Sequence, residues 1–224
     1  PTATLYRYNS NTGVYESKPT NVRGGDEWNF GLNYDQGLGV YFRIMNKLAL
    51  SKSQSYGFLT IVDNADPQAK ADLNHQRLLG VNENLELTYE TEKLSLTLFN
   101  DLTLNRYRYD DASYNSRPIY NSAGISSRIK LSPIEFWVRL ADDFRSGYQT
   151  SEMNGHKLMS NASINYSFCK NKCRLSLWVD DIFNKDIYYD SEYSAYQRVE
   201  NSANYLHHYM NLTFTYRFDA KSKK

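Results

Sequence analysis

The chain has 224 residues with nearly balanced charge, 26 Lys and Arg against 25 Asp and Glu, so its electrostatics give no case for nucleic acid as a partner. Mean hydropathy is −0.67 and no run of about 18 apolar residues occurs, which excludes a helical membrane span. Low hydropathy does not exclude a membrane wall of strands, where lumenal residues dilute lipid-facing ones, and the 20 tyrosines and 10 phenylalanines suit the aromatic girdles of such walls.

Thr2 to Tyr8 reads as a fragmentary strand. From Trp28 to Ile44, every even residue except Gln36 is bulky and apolar: Trp28, Phe30, Leu32, Tyr34, Leu38, Val40, Phe42 and Ile44. The odd positions are Asn29, Gly31, Asn33, Asp35, Gly37, Gly39, Tyr41 and Arg43. A period of two marks a strand with differently solvated faces. The span predicts one long strand, well past the five or six residues usual in soluble proteins. A turn is expected at Met45-Asn46-Lys47, after which Leu48, Leu50, Tyr56 and Phe58 continue the even face.

A polar segment, Asp63 to Asp72, follows. Leu79, Val81, Leu85, Leu87 and Tyr89 then form an odd face that ends at a turn over Glu90 to Lys93. Leu94, Leu96, Leu98, Leu102 and Leu104 return. Pairing Tyr89 with Leu94 across that turn sets Glu83 opposite Asn100, so that two polar breaks coincide, as opposed residues on one face should. A Tyr- and Asp-rich loop covers about Tyr107 to Tyr120. Ile125, Ile129 and Leu131 lead to Ser132-Pro133, and Ile134, Phe136, Val138 and Leu140 climb back. Beyond a loop from Arg145 to His156 come Leu158, Ala162, Ile164, Tyr166 and Phe168, a turn between Cys169 and Cys173, then Leu175, Leu177, Val179 and Phe183. A last long loop, Lys185 to Asn204, precedes Leu206, Met210, Leu212, Phe214, Tyr216 and Phe218.

Short turns on one side and long loops on the other are the polarity of an outer-membrane barrel. The expected fold is all-β: a transmembrane antiparallel β-barrel over residues 1–218 with about ten strands, followed by a polar tail at 219–224. A soluble lipocalin-like barrel or sandwich inverts the pattern, and alternation alone does not tell inside from outside. Strand length, glycine and asparagine on the second face, and interfacial aromatics favour the membrane.

Lumen-lining candidates are Arg43, Asp101, Arg128, Arg139 and Asp143, which would bind a plug or tune solute selectivity. His75, His156, His207 and His208 are scattered and no nucleophile motif occurs, so no enzyme, cofactor or metal site is expected. Cys169 and Cys173 could pair in an oxidising periplasm, but spacing does not fix their geometry, and two unpaired turn thiols are the favoured alternative. The acidic groups Asp63 to Asp72, Asp110-Asp111 and Asp186 to Glu192 read as solvated loop charge rather than a divalent-cation site. Tyr107, Tyr109, Tyr114, Tyr188, Tyr189, Tyr193 and Tyr196 lie at or beyond the outer strand ends. Interfacial anchoring explains most of them, with stacking on a ligand as the alternative.

Val179-Asp180-Asp181-Ile182-Phe183-Asn184-Lys185 resembles the penultimate-strand signature of TonB-dependent outer-membrane receptors, Val-x-Asn-Leu-Phe-Asp/Asn-Lys, with Asp181 where the family has Asn. Met210-Asn-Leu-Thr-Phe-Thr-Tyr-Arg-Phe218 is similar to their terminal strand, although Asp219 to Lys224 run past the aromatic. The closer resemblance is to the receptor-like outer membrane protein beta-barrel family. It implies a portion of a larger barrel, in the bacterial outer membrane, that takes up a large or scarce solute with TonB-supplied energy. Outer-membrane lipid, the barrel-assembly machinery and TonB, reached through a plug not in this chain, are the implied partners. Leu212, Phe214, Tyr216 and Phe218 would be the C-terminal assembly signal. Thr2 to Tyr8 is shorter than the roughly 9–11 residues a crossing strand needs, which favours a piece of something larger. A non-transporting scaffold or subunit of a surface assembly is the rival role, drawing on a protein neighbour near Glu83 and Asn100. A small ten-stranded pore is a third.

Overall fold

The structure, a computed structural model, describes residues 2–58, 62–63, 72–183, 188–195, 197–203 and 208–218. Expectations placed on Asp186, Tyr196, His207, the tail 219–224 and most of the Asp63 to Asp72 segment lie outside the described residues. The strands are β1 (Thr2–Asn9), β2 (Val14–Asn21), β3 (Glu27–Leu38), β4 (Phe42–Phe58), β5 (Val62–Asp63), β6 (Leu73–Glu90), β7 (Leu94–Tyr109), β8 (Ile119–Leu131), β9 (Ile134–Ser146), β10 (Gly155–Phe168), β11 (Cys173–Asp180), β12 (Tyr188–Tyr193), β13 (Arg198–Ala203) and β14 (Tyr209–Tyr216).

Nine of them form one antiparallel sheet in the order β14-β11-β10-β9-β8-β7-β6-β4-β3. Short turns close one end, at Gly39–Tyr41, Thr91–Lys93, Ser132–Pro133 and Cys169–Lys172, and every long connection lies at the other. Among the described residues the sheet does not close, for β3 pairs only with β4 and β14 only with β11. The expectation of about ten strands in one wall over 1–218 is corrected accordingly. Thr2–Asn9 is not a tenth strand of it. β1 pairs antiparallel with β2 and parallel with β5 in a small separate sheet, and β12 and β13 form a hairpin of their own.

The expected single strand from Trp28 to Ile44 is a hairpin. It turns at Gly39-Val40-Tyr41, where Gly39 adopts φ +74°, and Leu38 faces Phe42. A loop of odd length carries alternation through without a change of phase, so even residues share one face on both strands. The turn was therefore invisible to periodicity, and Met45-Asn46-Lys47 lies inside β4.

The β6–β7 register is also corrected by two residues. Thr91 N–H donates to Leu94 O at 2.7 Å and Leu94 N–H to Thr91 Oγ1 at 3.0 Å. This pair shortens the loop, and Tyr89 faces Leu96. Glu83 then opposes Leu102 and Asn100 opposes Leu85. A slip of two keeps every side chain on its expected face.

Following the register across the sheet, one row runs Leu38, Phe42, Tyr89, Leu96, Ser127, Val138, Ala162, Val179, Met210. It starts where β3 and β4 meet their short turn and ends at Met210, with Asn211 to Tyr216 beyond it. A stagger that accumulates in one direction is the geometry of tilted strands.

The two faces of this sheet are solvated in reverse of a soluble protein. Leu98 is 49% exposed while its neighbour Phe99 is 8%. Leu140 is 37% exposed and Ala141 is 3%. Phe30, Leu32, Phe42, Leu87, Leu98, Ile125, Leu140, Ile164, Leu175 and Phe214 all share the exposed face, whereas Asn74, Gln76, Ser122 and Asp143 are buried on the other. Packing on the polar face is close around Gly124. A Cβ there would meet Leu140 O at 2.2 Å and the Phe99 ring at 2.7 Å, and the Arg139 guanidinium lies 4.0 Å from the centre of that ring.

Candidate functional site at the long-loop end

Arg43, Asp101, Arg128, Arg139 and Asp143 all fall on the polar face. They are spread along it rather than gathered. Arg43 donates to Asp35 at 2.7 Å, and Asn84 donates to Asp101. Arg128 and Arg174 lie 3.9 and 4.0 Å from Glu135. Tyr120 OH donates to Asp143 at 3.2 Å. Arg43 and Arg128 thus face carboxylates within the wall, while Asp101 and Asp143 accept from neutral donors.

The residues that do converge belong to the long-loop end. The β12–β13 hairpin lies over the polar face of the strands. Tyr193 stacks on Tyr107 at 4.5 Å, Lys157 Nζ sits 3.3 Å from the centre of the Tyr189 ring with Arg145 at 4.9 Å, and Asn74 donates to Ala195 O at 2.7 Å. These tyrosines do not anchor the outer surface as expected. On β7, Tyr107 and Tyr109 are odd residues and share the polar face, where Tyr109 OH accepts from Gln76 at 2.7 Å. Amphipathic rings of this kind bury well wherever one end stays polar.

Glu200 fastens the hairpin. Its carboxylate accepts from Thr150 N–H at 2.8 Å, Gln149 N–H at 3.3 Å, Tyr193 OH at 2.8 Å and Arg198 Nε at 2.9 Å. Burial by itself would raise its pKa, but these donors outweigh burial and hold it at about 2. The Tyr193 phenol is pushed up, first by burial and then by the bond to Glu200. The resulting cleft, about 650 Å³, is lined by Asn74, Tyr109, Tyr114, Gln149, Arg198 and Glu200 among others. With Tyr114 47% exposed and amide groups around it, the cleft can stack against a ring and hydrogen-bond a polar ligand. Neither Arg198 nor Glu200 was singled out from the sequence. Their i, i+2 spacing on one face of β13 and Tyr193 seven residues earlier are the local signals, while the backbone donors of Gln149 and Thr150 are about fifty residues away.

The remaining candidates are dispersed. His75 stacks on Tyr56 at 4.5 Å, His156 Nδ1 lies 2.8 Å from Asp142, and His208 Nδ1 lies 2.9 Å from Asp181 O. Asp110 lies 3.9 Å from both His75 and Arg77, while Asp111 accepts from Ser113 N–H at 2.9 Å and ends a strand-to-turn transition. Among the described residues no three His, Cys, Asp or Glu converge in a way that could hold a metal ion. Cys169 and Cys173 are free thiols, not a disulfide. Cys169 stands with Lys170 and Asn171 in a run of positive φ, while Cys173 is buried at the start of β11. Glu83 has a partner inside the chain, accepting from Asn46 Nδ2 at 2.8 Å. Leu212, Phe214, Tyr216 and Phe218 are all exposed along one face of β14 and beyond it, with Phe214 opposite Leu175. No protein-family model, curated protein or solved structure matches the chain.

Proposed function

We propose that this chain is wall and outer loops of an outer-membrane β-barrel of the receptor type, taking up a large or scarce solute with energy from TonB. The observation that carries the reading is the inverted sheet: exposed leucines, isoleucines and aromatics on one face, buried Ser122, Asp143, Asn74 and Gln76 on the other. Water would not tolerate nine strands of contiguous apolar surface on a stable monomer, and lipid would favour it. On β7 the outward column from Leu94 to Leu104, apolar except at Asn100, is about 34 Å along the strand. At a tilt of about 45° it rises about 24 Å, the height of a barrel's hydrocarbon band.

In this reading the long-loop end faces outward, and the cleft beside Tyr114, Gln149 and Arg198 is where solute is first captured. Transport without chemistry fits a site whose one buried carboxylate is already committed to four donors. The rival scaffold role draws on Asn46 and Glu83, a polar pair inside the apolar face that a protein neighbour would shelter better than lipid. Growth on single nutrients, with the gene deleted or with TonB disabled, separates the two. Loss of the same nutrient in both strains supports transport. Unchanged uptake with a failed surface assembly supports the scaffold.

A further inference from the structure

Where the apolar face meets the long-loop end, the side chains become basic. Arg77 on β6 directly opposes Arg108 on β7. Arg106, two residues below Arg108, opposes Leu79. In the register fixed by Leu104 with Ile119 and Tyr107 with Ser116, Arg117 falls opposite Arg106. Lys52 opposes Leu79 from the other side. These five cations meet two carboxylates, Asp110 at 3.9 Å from Arg77 and Asp26 at 3.5 Å from Lys52. Among the described residues Arg106, Arg108 and Arg117 have no ion pair. Like charges directly opposed across strands destabilise a sheet, so four arginines gathered on β6, β7 and the 110–118 loop call for an anion beyond Asp110, the one described carboxylate that reaches them.

Two features say what the anion is attached to. Arg77, Arg106, Arg108, Arg117 and Asn115 line a shallow cleft of about 320 Å³, and the Nε of Arg106 is shielded from solvent with no acceptor among the described residues. Immediately below, on the same face, stand Leu79, Val81, Leu104 and Ile119, and Leu79 is 54% exposed. A ligand seated here has a multiply charged, planar-forked recognition site for its head and a greasy wall for its tail. Arginine forks suit phosphate, to which they bind bidentately.

We infer that this cluster is a binding site for the phosphate-bearing headgroup of an outer-leaflet glycolipid, whose acyl chains lie along Leu79, Val81, Leu104 and Ile119. The inference rests on the membrane reading above and deepens it, for it fixes which leaflet the long-loop end meets. The lipid would remove the repulsion among the arginines and hold β6, β7 and the 110–118 loop at the interface.

The test uses the whole gene product, extracted from membranes in mild detergent and examined by native mass spectrometry. Phosphorylated glycolipid, the same glycolipid after phosphatase treatment, and inorganic phosphate are titrated separately. The expected order is tight binding of the phosphorylated lipid and weak binding of the other two. Each arginine bond to phosphate accounts for roughly tenfold in affinity. Arg106→Ala with Arg108→Ala should therefore lose at least about a hundredfold, and Arg117→Ala, outside the strands, about tenfold. Lys93→Ala, in the short turn at the far end, should bind as the parent does. Arg117→Ala serves if the double variant fails to assemble. Equal binding of the phosphatase-treated lipid, equal binding of inorganic phosphate alone, or no loss in Arg117→Ala would each overturn the inference. A gene product absent from the membrane fraction would overturn the membrane reading itself, a different outcome from a membrane protein that does not retain the lipid.

Discussion

Leu98 and Thr97 are adjacent on β7 and present opposite faces, so an arginine placed at each reads the two environments in turn. Leu98 is flanked by Leu87 and Ile125 and is 49% exposed. It stands about 14 Å along the strand from Leu94, which at a 45° tilt is about 10 Å into a band about 24 Å high, close to the midplane. Lipid covering the exposed half of this leucine is worth about 1 kcal/mol. An arginine at midplane depth costs about 2–4 kcal/mol. Leu98→Arg should therefore lose about 3–5 kcal/mol of folding stability in the bilayer. Thr97→Arg loses the Thr88–Thr97 hydroxyl bond of 3.1 Å, worth about 1 kcal/mol, and puts its charge among other polar groups. The gap of at least about 2 kcal/mol is about thirtyfold in the folding equilibrium. Urea titration of the gene product refolding into phosphatidylcholine vesicles measures it, with heat-modifiable migration as the index of the folded form. If the exposed face met water, Leu98→Arg would change stability by no more than about 0.5 kcal/mol. Equal or reversed costs at the two positions would refute the assignment of the faces.

Glu200 has a folded pKa of about 2 against an ordinary 4.5, so its contribution to holding the hairpin is complete above pH 4.5 and fades as pH falls toward 2. Limited proteolysis by pepsin should find β12–β13 progressively more accessible over that window, and Glu200→Gln should expose it already at pH 6, at a cost of about 1–2 kcal/mol. Gly124→Val drives a side chain into Leu140 O and the Phe99 ring and should destabilise the wall by about 1–3 kcal/mol, read as a lowered urea midpoint; an unchanged midpoint would mean Phe99 does not cover that glycine. Phe218→Ser, at a residue 83% exposed, should reduce assembled protein in the outer membrane more than Phe168→Ser does, if the terminal strand is an assembly signal. Equal losses would leave both residues as lipid contacts only.

Strand identity and facing were legible in the sequence because both follow from a period of two, and neither slips when a loop changes by an even number or when an odd loop preserves phase. That is why the hairpin at Gly39 was read as one strand without misplacing a single face. It is also why the β6–β7 register could be wrong by two and still predict which residues share a side. Topology around the sheet was harder. Thr2 to Tyr8 is strand-like but short, and its pairing with Val14–Asn21 depends on the turn near Gly13, with φ +70°, rather than on its own pattern. The outer cleft was legible only as a group of tyrosines, Tyr109 and Tyr114 among them, with stacking on a ligand as one alternative. Arg198 and Glu200 matter through Thr150 and Gln149, contacts made only when the chain has already folded back across β6 to β10.

The two charged regions differ in how firmly they are built, and that bears on how a receptor could work. On the wall, Arg43 and Asp35 pair with side chains 61% and 51% exposed. Such a solvent-screened bond contributes little, so an incoming partner with its own carboxylates and cations could exchange for it at little cost. At the outer cleft, Arg198 and Glu200 are 12% and 6% exposed, and breaking one partner away would strand the other beneath Tyr193 and the 147–154 loop. A buried pair is costly to open in this way, even where its net stabilisation is small. The exposed Arg43–Asp35 pair is therefore the one able to rewire, as contact with a moving plug would require, while the Arg198–Glu200 pair stays fixed. In the proposed transporter, capture would depend on a preformed cleft and release on exchange of exposed pairs along the wall.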